Sequence, residues 1–375
     1  MSGLRLRSLR ALVFRAPIAH PVTTSFGTMR DRPCVLVRAE NEDGRVGWGE
    51  IWCNFPAIGP EYRARLIDGL FASLVEHRSF DDPAAAFAAL TNETAILALQ
   101  CAEPGPFAQC IAGIDIALWD LTAQAAAQPL WRLLGGSDPA IAAYASGLNP
   151  DGAPPLAIAR RDEGYRAFKL KLGFGQARDL ANLEALRQAL GQEATLMADV
   201  NQGWTVDQAL AMAPELDRFN LAWLEEPLRA DCPWAEWSAL AGRCRTPLAA
   251  GENVAGEEAF GAAIASGALG VVQPDLGKWG GFSGTLPVAR RVLRAGLRYC
   301  PHWLGGGIGL LASAHLLAAV GGDGMLEVDA NPNPLRTALA GPLTRIENGR
   351  MTLTEAPGLG EPPDLEALQS YRVRH

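Results

Sequence analysis

The sequence has almost no lysine, although it has many basic residues. Of the 33 lysine and arginine residues in the 375-residue chain, only three, at positions 169, 171 and 278, are lysine. A chain that uses arginine for its exposed positive charges is expected to keep lysine where an ammonium that can lose its proton is needed. The pair Lys169 and Lys171 is therefore a first indication of proton-transfer chemistry.

Other absences exclude whole classes of protein. The formal net charge is −8, so no basic surface for nucleic acid or for an anionic membrane is expected. The seven cysteines include no Cys-x-x-Cys, which argues against a disulfide framework or a zinc knuckle and favours the reducing cytoplasm. Arginines interrupt the N-terminal apolar residues, and no run is long enough to span a membrane. We expect a cytoplasmic homo-oligomer with neither a nucleic-acid nor a membrane partner.

The N-terminal third of the chain predicts an α+β domain. Residues 4–17 and 33–50 alternate between apolar and polar side chains as strands do, and the second stretch folds back through a hairpin turn at Asn41 to Gly44. Residues 60–79 and 107–134 have apolar positions at helical spacing. We assign residues 1–136 to this N-terminal α+β domain.

From about residue 140, short apolar strands alternate with Ala-rich amphipathic helices, which is typical of repeated βα units and a parallel sheet. Eight strands are predicted, at 142–147, 167–173, 195–201, 221–227, 247–253, 270–276, 298–304 and 324–330. Eight parallel strands favour a closed TIM-like α/β barrel over residues 137–340, with the chemistry at the C-terminal strand ends. A doubly wound open sheet is the weaker alternative, because no Gly-x-Gly-x-x-Gly follows the first strand. The Pro/Gly-rich segment 341–375 is expected to pack back on the N-terminal domain.

Seven of these strands are predicted to carry ionisable side chains in their C-terminal halves, where a barrel interior is normally apolar and a lone charge is costly. These residues are Lys169, Lys171, Asp199, Glu225, Glu252, Asp275, His302 and Glu327. Asp199, Glu225 and Glu252 lie on three adjacent strands and supply only oxygen, so they are candidate ligands for Mg²⁺, with Mn²⁺ next. Glu226 follows Glu225 directly and points to the other side of its strand, so we interpret it as a supporting residue.

The two lysines of the second strand are two positions apart, so both side chains point into the barrel, where one can bind substrate while the other reacts. For work as a base near neutral pH, the pKa of such a lysine must fall by roughly 3 units from about 10.4. Asp275 and His302 on neighbouring strands are interpreted as an acid/base dyad, in which the carboxylate fixes the imidazole tautomer. Glu327, if protonated or linked through water, could hydrogen-bond a substrate oxygen as negative charge develops. Lys278 is expected in a salt bridge and remains a spare base.

In order along the chain stand Lys-x-Lys, Asp-Val-Asn-Gln, Glu-Glu-Pro, Gly-Glu-Asn, Pro-Asp-x-x-Lys-x-Gly-Gly and a final Pro-His. This series resembles the mandelate racemase-like branch of the enolase superfamily, over nearly the whole chain. The resemblance implies a modified barrel of seven βα units and a last strand, capped by the N-terminal domain and the C-terminal tail. It further implies that Lys171 is the base on one face, that His302 with Asp275 is the acid/base on the other, and that Lys169 contacts the substrate carboxylate. Asn201 in such sites lies near the 2-hydroxyl, and a metal-stabilised enediolate is the shared intermediate.

The expected activity is Mg²⁺-dependent removal of the proton beside a carboxylate, followed by loss of the 3-hydroxyl of a sugar acid. Such a hydro-lyase would produce a 2-keto-3-deoxy acid from a small anionic hydroxy acid. The resemblance favours this outcome, since sugar-acid dehydration is the commonest reaction of sites with this base pair. Racemisation or epimerisation of a 2-hydroxy acid is the alternative, and an acid-binding barrel without catalysis is a third. Cycloisomerisation and dipeptide epimerisation are less favoured, because those relatives resemble sites with two facing lysines and an aspartate as third ligand.

Two segments of the N-terminal domain and three arginines are the candidates for substrate recognition. The stretch Thr24 to Arg32 and the loop Trp52 to Phe55 are candidates for covering the distal end of the substrate. Arg30, Arg32 or Arg336 could pair with the second carboxylate of a diacid, although each is expected to be an ordinary surface arginine.

Overall fold

The N-terminal domain is built on an antiparallel sheet. The computed structural model describes residues 4–24, 27–341 and 345–375. The sheet contains β1 (Leu4–Thr23), β2 (Thr28–Asn41) and β3 (Val46–Ile51), and the short β4 (Ser79–Phe80) pairs with the start of β1. The predicted hairpin joins β2 to β3. Its turn forms because the Asn41 side chain accepts hydrogen bonds from the backbone N–H groups of Asp43 and Arg45, at 3.1 and 2.9 Å.

The helices of this domain lie beside the sheet or beside one another. They are α1 (Gly59–Leu66), which continues through a π-helical turn (Ile67–Phe71) into α2 (Ala72–Val75), then α3 (Pro83–Gln100), α4 (Pro104–Ala125) and α5 (Leu130–Leu133). The single helix predicted over 107–134 is wrong at its end. The chain leaves the helix at Ala127, which has a φ of 52° in the left-handed region, and Pro129 then begins α5. Helix α3 was not predicted, because its Ala-rich sequence lacks a clear apolar stripe and leaves Ile96 and Leu99 exposed.

Eight parallel strands form a nearly closed barrel, as predicted. They are β5 (Ala140–Leu148), β6 (Ala167–Lys171), β7 (Thr195–Asp199), β8 (Leu224–Glu225), β9 (Leu248–Ala250), β10 (Leu269–Val272), β11 (Arg298–Tyr299) and β12 (Met325–Asp329). Hydrogen bonds join them in the order β11-β10-β9-β8-β7-β6-β5-β12, so the barrel is open only between β11 and β12. The doubly wound sheet is therefore excluded.

Helices alternate with these strands around the outside of the barrel. They are α6 (Ala153–Asp162), α7 (Gln176–Leu190), α8 (Val206–Leu216), α9 (Trp234–Ala241), α10 (Glu257–Ala265), α11 (Gly281–Arg294), α12 (Gly307–Val320) and α13 (Pro334–Ala340). A short 3₁₀ turn, Asp217–Phe219, follows α8, and another, Gln369–Tyr371, precedes the last strand of the chain. No helix of the described residues is long and apolar enough to cross a membrane.

Seven of the eight barrel strands are shorter than the sequence predicts, whereas β5 is longer, and prolines explain several of the early ends. Three prolines lie two residues after the last residues of β8, β10 and β11, namely Pro227, Pro274 and Pro301. Because proline has no backbone N–H, it cannot continue a hydrogen-bonded ladder. Glu252, Asp275 and His302 therefore lie in the loops just beyond β9, β10 and β11, and not within the strands as predicted.

The interior of the barrel is layered. A closely packed lower layer is formed by Tyr144, Ala167, Met197, Trp223, Ala249, Val271 and Cys300. Because side chains alternate along a strand, residues two positions further on also point inward. Lys169, Asp199 and Glu225 are such residues, so a charged layer lies directly above an apolar floor.

The segment after residue 345 contacts both parts of the molecule. Strand β13 (Arg350–Thr352) pairs antiparallel with β5 of the barrel, and β14 (Arg372–Val373) pairs antiparallel with β1 of the N-terminal sheet. Between them, the backbone N–H of Leu359 donates to Asp120 on α4. The tail therefore ties the capping domain to the barrel.

Buried polar side chains also join the two domains. Arg32 of β2 lies 2.5 Å from Asp329 at the end of β12, and both side chains are almost completely buried. Asp115 of α4 accepts hydrogen bonds from the first backbone N–H groups of α11, at Phe282 (2.7 Å) and Ser283 (3.0 Å). Such a carboxylate satisfies N–H groups that a helix leaves without partners at its start. The capping domain is thus fixed over the C-terminal ends of the strands.

Candidate active site

All eight ionisable residues singled out in the sequence lie together at the C-terminal end of the barrel. The backbone register places Lys171 beside Asp199, and Asp199 beside Glu225, so three adjacent strands present their charges at one level. The loops after β9, β10 and β11 add Glu252, Asp275 and His302, and Glu327 completes the ring from β12. All eight side chains are buried.

Lys169 lies deepest and has no exposed surface. Its Nζ is 2.6 and 2.7 Å from the two oxygens of Glu225 and 2.8 Å from Oε1 of Glu327. Burial alone would lower the pKa of this ammonium, but the facing carboxylates of Glu225 and Glu327 raise it well above its ordinary value. Lys169 is therefore a fixed positive charge in this arrangement.

Lys171 lies nearer the mouth of the barrel and contacts a different carboxylate. Its Nζ is 2.5 Å from Oδ2 of Asp199. Burial and the neighbouring Lys169 act to lower the pKa of Lys171, as the sequence analysis expected, but the contact with Asp199 outweighs them and the pKa is raised. This direction is opposite to the one predicted, because the sequence analysis counted the second lysine and burial but left out an ion pair within the site.

Asp199, Glu225 and Glu252 occupy consecutive positions around the barrel, but each faces its own cation. Glu225 faces Lys169, Asp199 faces Lys171, and Oε2 of Glu252 is 2.5 Å from Nε2 of His302. In the part of the chain that the structure describes, no three His, Cys, Asp or Glu side chains are arranged as a set of metal ligands. The predicted convergence of the three carboxylates is not seen in this arrangement, since buried carboxylates pair with the nearest available cation.

The composition of the site nevertheless suits a divalent cation. The buried carboxyl groups of the site are Asp199, Glu225, Glu226, Glu252, Asp275 and Glu327. They outnumber the cationic groups around them, which are three lysines and one histidine. Burial raises the pKa of Glu225, Lys169 lowers it, and the carboxylates of Asp199 and Glu327 raise it again, to about 7. An all-oxygen donor set with excess negative charge is the kind that Mg²⁺ prefers.

Glu225 has two further partners that the sequence analysis did not identify. Nε1 of Trp223 donates to its Oε2 at 3.1 Å, and Nε2 of Gln273 donates to the same oxygen at 2.6 Å. Trp223 precedes Glu225 by two positions on one strand, so the alternation of side chains could have indicated this contact. Gln273 lies two strands away, and the sequence carries no signal for it.

His302 and Asp275 form the predicted pair. Nδ1 of His302 is 2.7 Å from Oδ2 of Asp275, whose Oδ1 accepts hydrogen bonds from the backbone N–H groups of Gly277 (2.8 Å) and Lys278 (3.0 Å). Burial lowers the pKa of the imidazole, but Glu252, Glu327 and Asp275 together raise it well above its ordinary value. Asp275 is held by its own loop and in turn orients the ring of His302.

Glu327 accepts hydrogen bonds from three directions. Its partners are Nζ of Lys169, the hydroxyl of Ser146 and the backbone N–H of Trp303, the last at 3.1 Å. Burial would raise the pKa of Glu327, but Lys169 and His302 lower it to about 2. The interpretation in which a protonated Glu327 donates to the substrate is not supported by this arrangement.

Residues at the end of β7 and β8 adopt uncommon backbone conformations. Asn201 and Glu226 have φ values of 47° and 39°, in the left-handed region that residues other than glycine rarely occupy. Asn201 donates to Asp199 through its backbone N–H (2.8 Å) and its side chain (3.1 Å), which keeps it at the site. Glu226 turns away from Glu225 and accepts two hydrogen bonds from Asn253, at 2.9 and 3.0 Å. This agrees with its interpretation as a supporting residue.

Lys278 forms a salt bridge at the site. Its Nζ is 3.3 Å from Oε1 of Glu252 and 3.2 Å from Oδ1 of Asn253, and it lies 4.6 Å from the centre of the Trp52 ring. Trp52 belongs to the loop Trp52 to Phe55, which the sequence predicts to cover the distal end of the substrate. Its backbone N–H donates to the backbone oxygen of Gly277. This loop therefore reaches the mouth of the barrel. Residues 25 and 26 of the other candidate stretch lie outside the described residues.

The three candidate arginines for a second substrate carboxylate have other positions. Arg30 is exposed, Arg32 is paired with Asp329, and Arg336 donates to the backbone oxygens of Asp329 and Asn331. These contacts do not direct any of the three side chains toward Lys171 or His302.

Two family models match most of the chain. Residues 8–135 match the N-terminal domain of mandelate racemase / muconate lactonizing enzyme, and residues 156–367 match the model described as enolase C-terminal domain-like. The two matches together cover most of the capping domain and the barrel from α6 onward, and residues 136–155, which include β5, lie between them.

Proteins that are named for different reactions are similar in sequence to this chain. D-galactarolactone cycloisomerase from Agrobacterium fabrum (strain C58) is 30% identical over 387 aligned residues, which cover 99% of each chain. L-talarate/galactarate dehydratase from Salmonella typhimurium (strain LT2) is 34% identical over 68% of this chain and 63% of the relative. N-succinylamino acid racemase from Thermus thermophilus is 28% identical over 95% of this chain and 94% of the relative.

Solved structures share the whole architecture. A crystal structure of a mandelate racemase/muconate lactonizing enzyme from Bordetella bronchiseptica RB50 is 55% identical, with a TM-score of 0.94 over 99% of this chain and 100% of that chain. A racemase from Streptomyces coelicolor A3(2), solved with bound magnesium, is 27% identical, with a TM-score of 0.89 over 98% of this chain and 100% of that chain.

Proposed function

Because the chain belongs to the mandelate racemase / muconate lactonizing enzyme family of the enolase superfamily, we propose that it dehydrates a sugar acid. The reaction begins with removal of the proton from the carbon beside the substrate carboxylate. It continues with loss of the 3-hydroxyl and gives a 2-keto-3-deoxy acid. The substrate is a small anionic hydroxy acid.

The observation that carries this proposal is the position of two proton-transfer groups around one ring of carboxylates. The side chain of Lys171 extends from β6, and His302 lies in the loop after β11. Around the barrel, β11 is three strands from β6 in one direction and five in the other. A substrate between them has a base on one face of its α-carbon and an acid/base dyad on the other. This is the geometry that proton abstraction followed by proton donation requires.

Each residue has a chemical role in this proposal. Lys169, a buried ammonium, binds the substrate carboxylate, and Asn201 contacts the 2-hydroxyl. Lys171 in its uncharged form removes the α-proton, and the electron pair of the C–H bond moves toward the carboxylate to form an enediolate. A cation bound to Asp199 would compete with the ion pair that raises the pKa of Lys171. A divalent cation held by Asp199, Glu225 and Glu252 would supply stabilisation of the extra negative charge on the carboxylate oxygens.

The second half of the reaction depends on His302. Electrons of the enediolate return to form a C2–C3 double bond, and the C3–O bond breaks. His302, held as an imidazolium by Asp275, gives a proton to the departing oxygen, which leaves as water. The enol that remains becomes the 2-keto acid by taking a proton at C3 and releasing the proton of its 2-hydroxyl. The raised pKa of His302 supports a role as proton donor in this step.

Mg²⁺ is the proposed cofactor, with Mn²⁺ as a substitute. The support is the all-oxygen donor set described above, the use of Mg²⁺ in the enolase superfamily and the bound magnesium in the Streptomyces coelicolor racemase. Dehydration is preferred because relatives include L-talarate/galactarate dehydratase and an arabinonate dehydratase from Saccharolobus solfataricus.

Racemisation or epimerisation of a 2-hydroxy acid is the second candidate. The same pair, Lys171 and His302, could exchange a proton between the two faces of the α-carbon without expelling the 3-hydroxyl. Racemases occur among the relatives, which supports this outcome. Cycloisomerases occur among them as well, although the dyad and Glu252 made this reaction the less favoured one from the sequence.

A panel of sugar acids separates these outcomes. Monoacids and diacids are incubated with the protein and Mg²⁺, and 2-keto acid formation is measured. If the protein is a dehydratase, the wild type should form a 2-keto acid from at least one of these substrates, and the His302→Asn variant should form none. A change of configuration at C2 without keto acid would establish epimerisation instead, and no reaction with any acid would leave only an acid-binding barrel.

A further inference from the structure

Glu50 is a buried carboxylate in the capping domain that reaches the barrel. It ends the sequence Gly47-Trp48-Gly49-Glu50 in β3, and 1% of its surface is exposed. Its two oxygens accept hydrogen bonds from the backbone N–H groups of Gly306 (2.5 Å) and Gly309 (2.8 Å), at the start of α12. Burial raises the pKa of Glu50 to about 7, while hydrogen bonds from the backbone N–H groups of Gly309, Gly306 and Ile308 and from the Cys34 thiol act to lower it. The N-terminus of α12 is therefore its main electrostatic partner.

The loop that Glu50 binds is rich in glycine because the approach is close. A Cβ atom on Gly306 would lie 2.6 Å from Oε1 of Glu50, and one on Gly309 would lie 2.0 Å from the ring of Trp303. Both distances are shorter than carbon atoms tolerate. The backbone of this loop is thus packed closely against both the carboxylate and the indole.

The same loop carries His302. Nε1 of Trp303 donates to the backbone oxygen of Gly306 at 2.9 Å, and the backbone N–H of Trp303 donates to Glu327 at 3.1 Å. Trp303 is 2% exposed and directly follows His302. A continuous chain of contacts therefore leads from Glu50 through Gly306 and Trp303 to the imidazole.

We propose that Glu50 is a positioning residue for His302, acting from the capping domain through Gly306 and Trp303. The proposal rests on the proposed function in one respect, namely that His302 transfers a proton. Glu50 does not touch the substrate. It fixes Gly306, three residues after Trp303, while Glu327 binds the backbone N–H of Trp303, so that the loop is held at two points. A displacement of about 1 Å at a proton-transfer group is enough to reduce a rate by about 100-fold.

The test compares Glu50→Gln with Asp120→Asn. Glutamine has the shape of glutamate but presents an N–H group to one of the two backbone donors, so one hydrogen bond is lost. Asp120 is an equally buried carboxylate that binds the N–H of Trp48 on the same strand (2.8 Å) and that of Leu359 (2.8 Å), but no residue of the His302 loop. It is therefore a matched control for loss of a buried carboxylate.

Two measurements are made on each variant. The imidazole ¹⁵N resonances of the five histidines are recorded with histidine-labelled protein, and His302→Asn identifies the signal of His302. Steady-state rates are measured on the acid that the wild type turns over. For Glu50→Gln, we expect the His302 signal to shift or split and kcat to fall by about 10- to 100-fold with little change in KM. Asp120→Asn should change neither.

If Glu50→Gln left both the His302 signal and kcat unchanged, the proposal would be overturned. This would hold even if amide hydrogen exchange at residues 306–309 became faster, because Glu50 would then stabilise only the start of α12. If Glu50→Gln does not fold, Glu50→Asp is used, for which the same shift in the His302 signal is expected and its absence is equally decisive. A wild type without turnover would reject the proposed function, while the resonance measurement would still decide the role of Glu50.

Discussion

Nζ of Lys169 lies 2.6 Å from Oε1 of Glu225, and neither side chain has appreciable exposed surface. Glu225 is also one of the three proposed cation ligands, whereas its neighbour Glu226 is turned toward Asn253. Adjacent residues with the same chemistry are therefore assigned different roles, and this difference can be measured.

We predict that Glu225→Gln weakens Mg²⁺ binding by at least about 10-fold, because it removes an anionic oxygen from the donor set. Glu226→Gln is the matched control and should change the affinity by less. Isothermal titration with Mg²⁺, or Mn²⁺ binding followed by electron paramagnetic resonance, provides the affinity without any turnover. An equal or larger loss of affinity in Glu226→Gln would reverse the assignment.

Asp275→Asn should separate the two halves of the reaction. An asparagine cannot stabilise the imidazolium of His302, so proton donation to the leaving oxygen should slow by about 10²- to 10⁴-fold. Removal of the α-proton by Lys171 does not need the dyad, so exchange of that proton with deuterium should continue. Proton NMR in D₂O measures both on one sample. Equal loss of exchange and of keto acid would show that the dyad also serves the first step.

The stability of the protein should depend on pH through Asp115. Burial raises the pKa of this carboxyl to about 7, although hydrogen bonds from Ser283 and Phe282 act to lower it. The unfolded value is about 3.9, so the folded state binds the proton more tightly. The stabilisation is complete below about pH 4 and is lost as the pH rises toward 7.

Urea unfolding of the wild type and of Asp115→Asn at pH 5 and pH 8 tests this prediction. The variant cannot titrate at this position, so the stability of the wild type relative to the variant should be greater at pH 5 than at pH 8. The same difference at both pH values would show that Asp115 is ionised throughout this range.

Removal of the buried partner of Asp329 should be costly. Arg32→Met leaves the Asp329 carboxylate buried without its cation, and we expect a loss of about 3–5 kcal/mol in the free energy of unfolding. The double variant Arg32→Met/Asp329→Leu should lose less, because no buried charge remains. Arg229→Met breaks an exposed ion pair with Asp231 and should cost far less than Arg32→Met, because water screens the pair. Urea unfolding measures all three, and equal costs for Arg32→Met and Arg229→Met would contradict the account.

The sequence was informative wherever periodicity and chain order determine position. The two-residue spacing of Lys169 and Lys171 predicts that both point into the barrel, and the recurrence of strands about every 25 residues predicts their number and order. His302 and Asp275 could be paired because neighbouring strands place their following loops side by side. These inferences need only the geometry of strands.

The details that depend on packing between distant segments could not be predicted. Gln273 reaches Glu225 across two strands, and Glu50 reaches Gly306 from another domain, so no local pattern records either contact. The pKa of Lys171 was predicted in the wrong direction for a similar reason. Its sign depends on which carboxylate lies nearest, and that distance is a property of the folded site.

The most direct test of the central claim is exchange of the substrate α-proton with solvent deuterium, in the presence of Mg²⁺, for the wild type, Lys171→Ala and Lys278→Ala. We predict Mg²⁺-dependent exchange in the wild type, loss of exchange from one face of the α-carbon in Lys171→Ala, and retained exchange in Lys278→Ala. If Lys171→Ala turned over the substrate as fast as the wild type, His302 or Lys278 would be the base. Absence of exchange from every hydroxy acid would contradict the account as a whole.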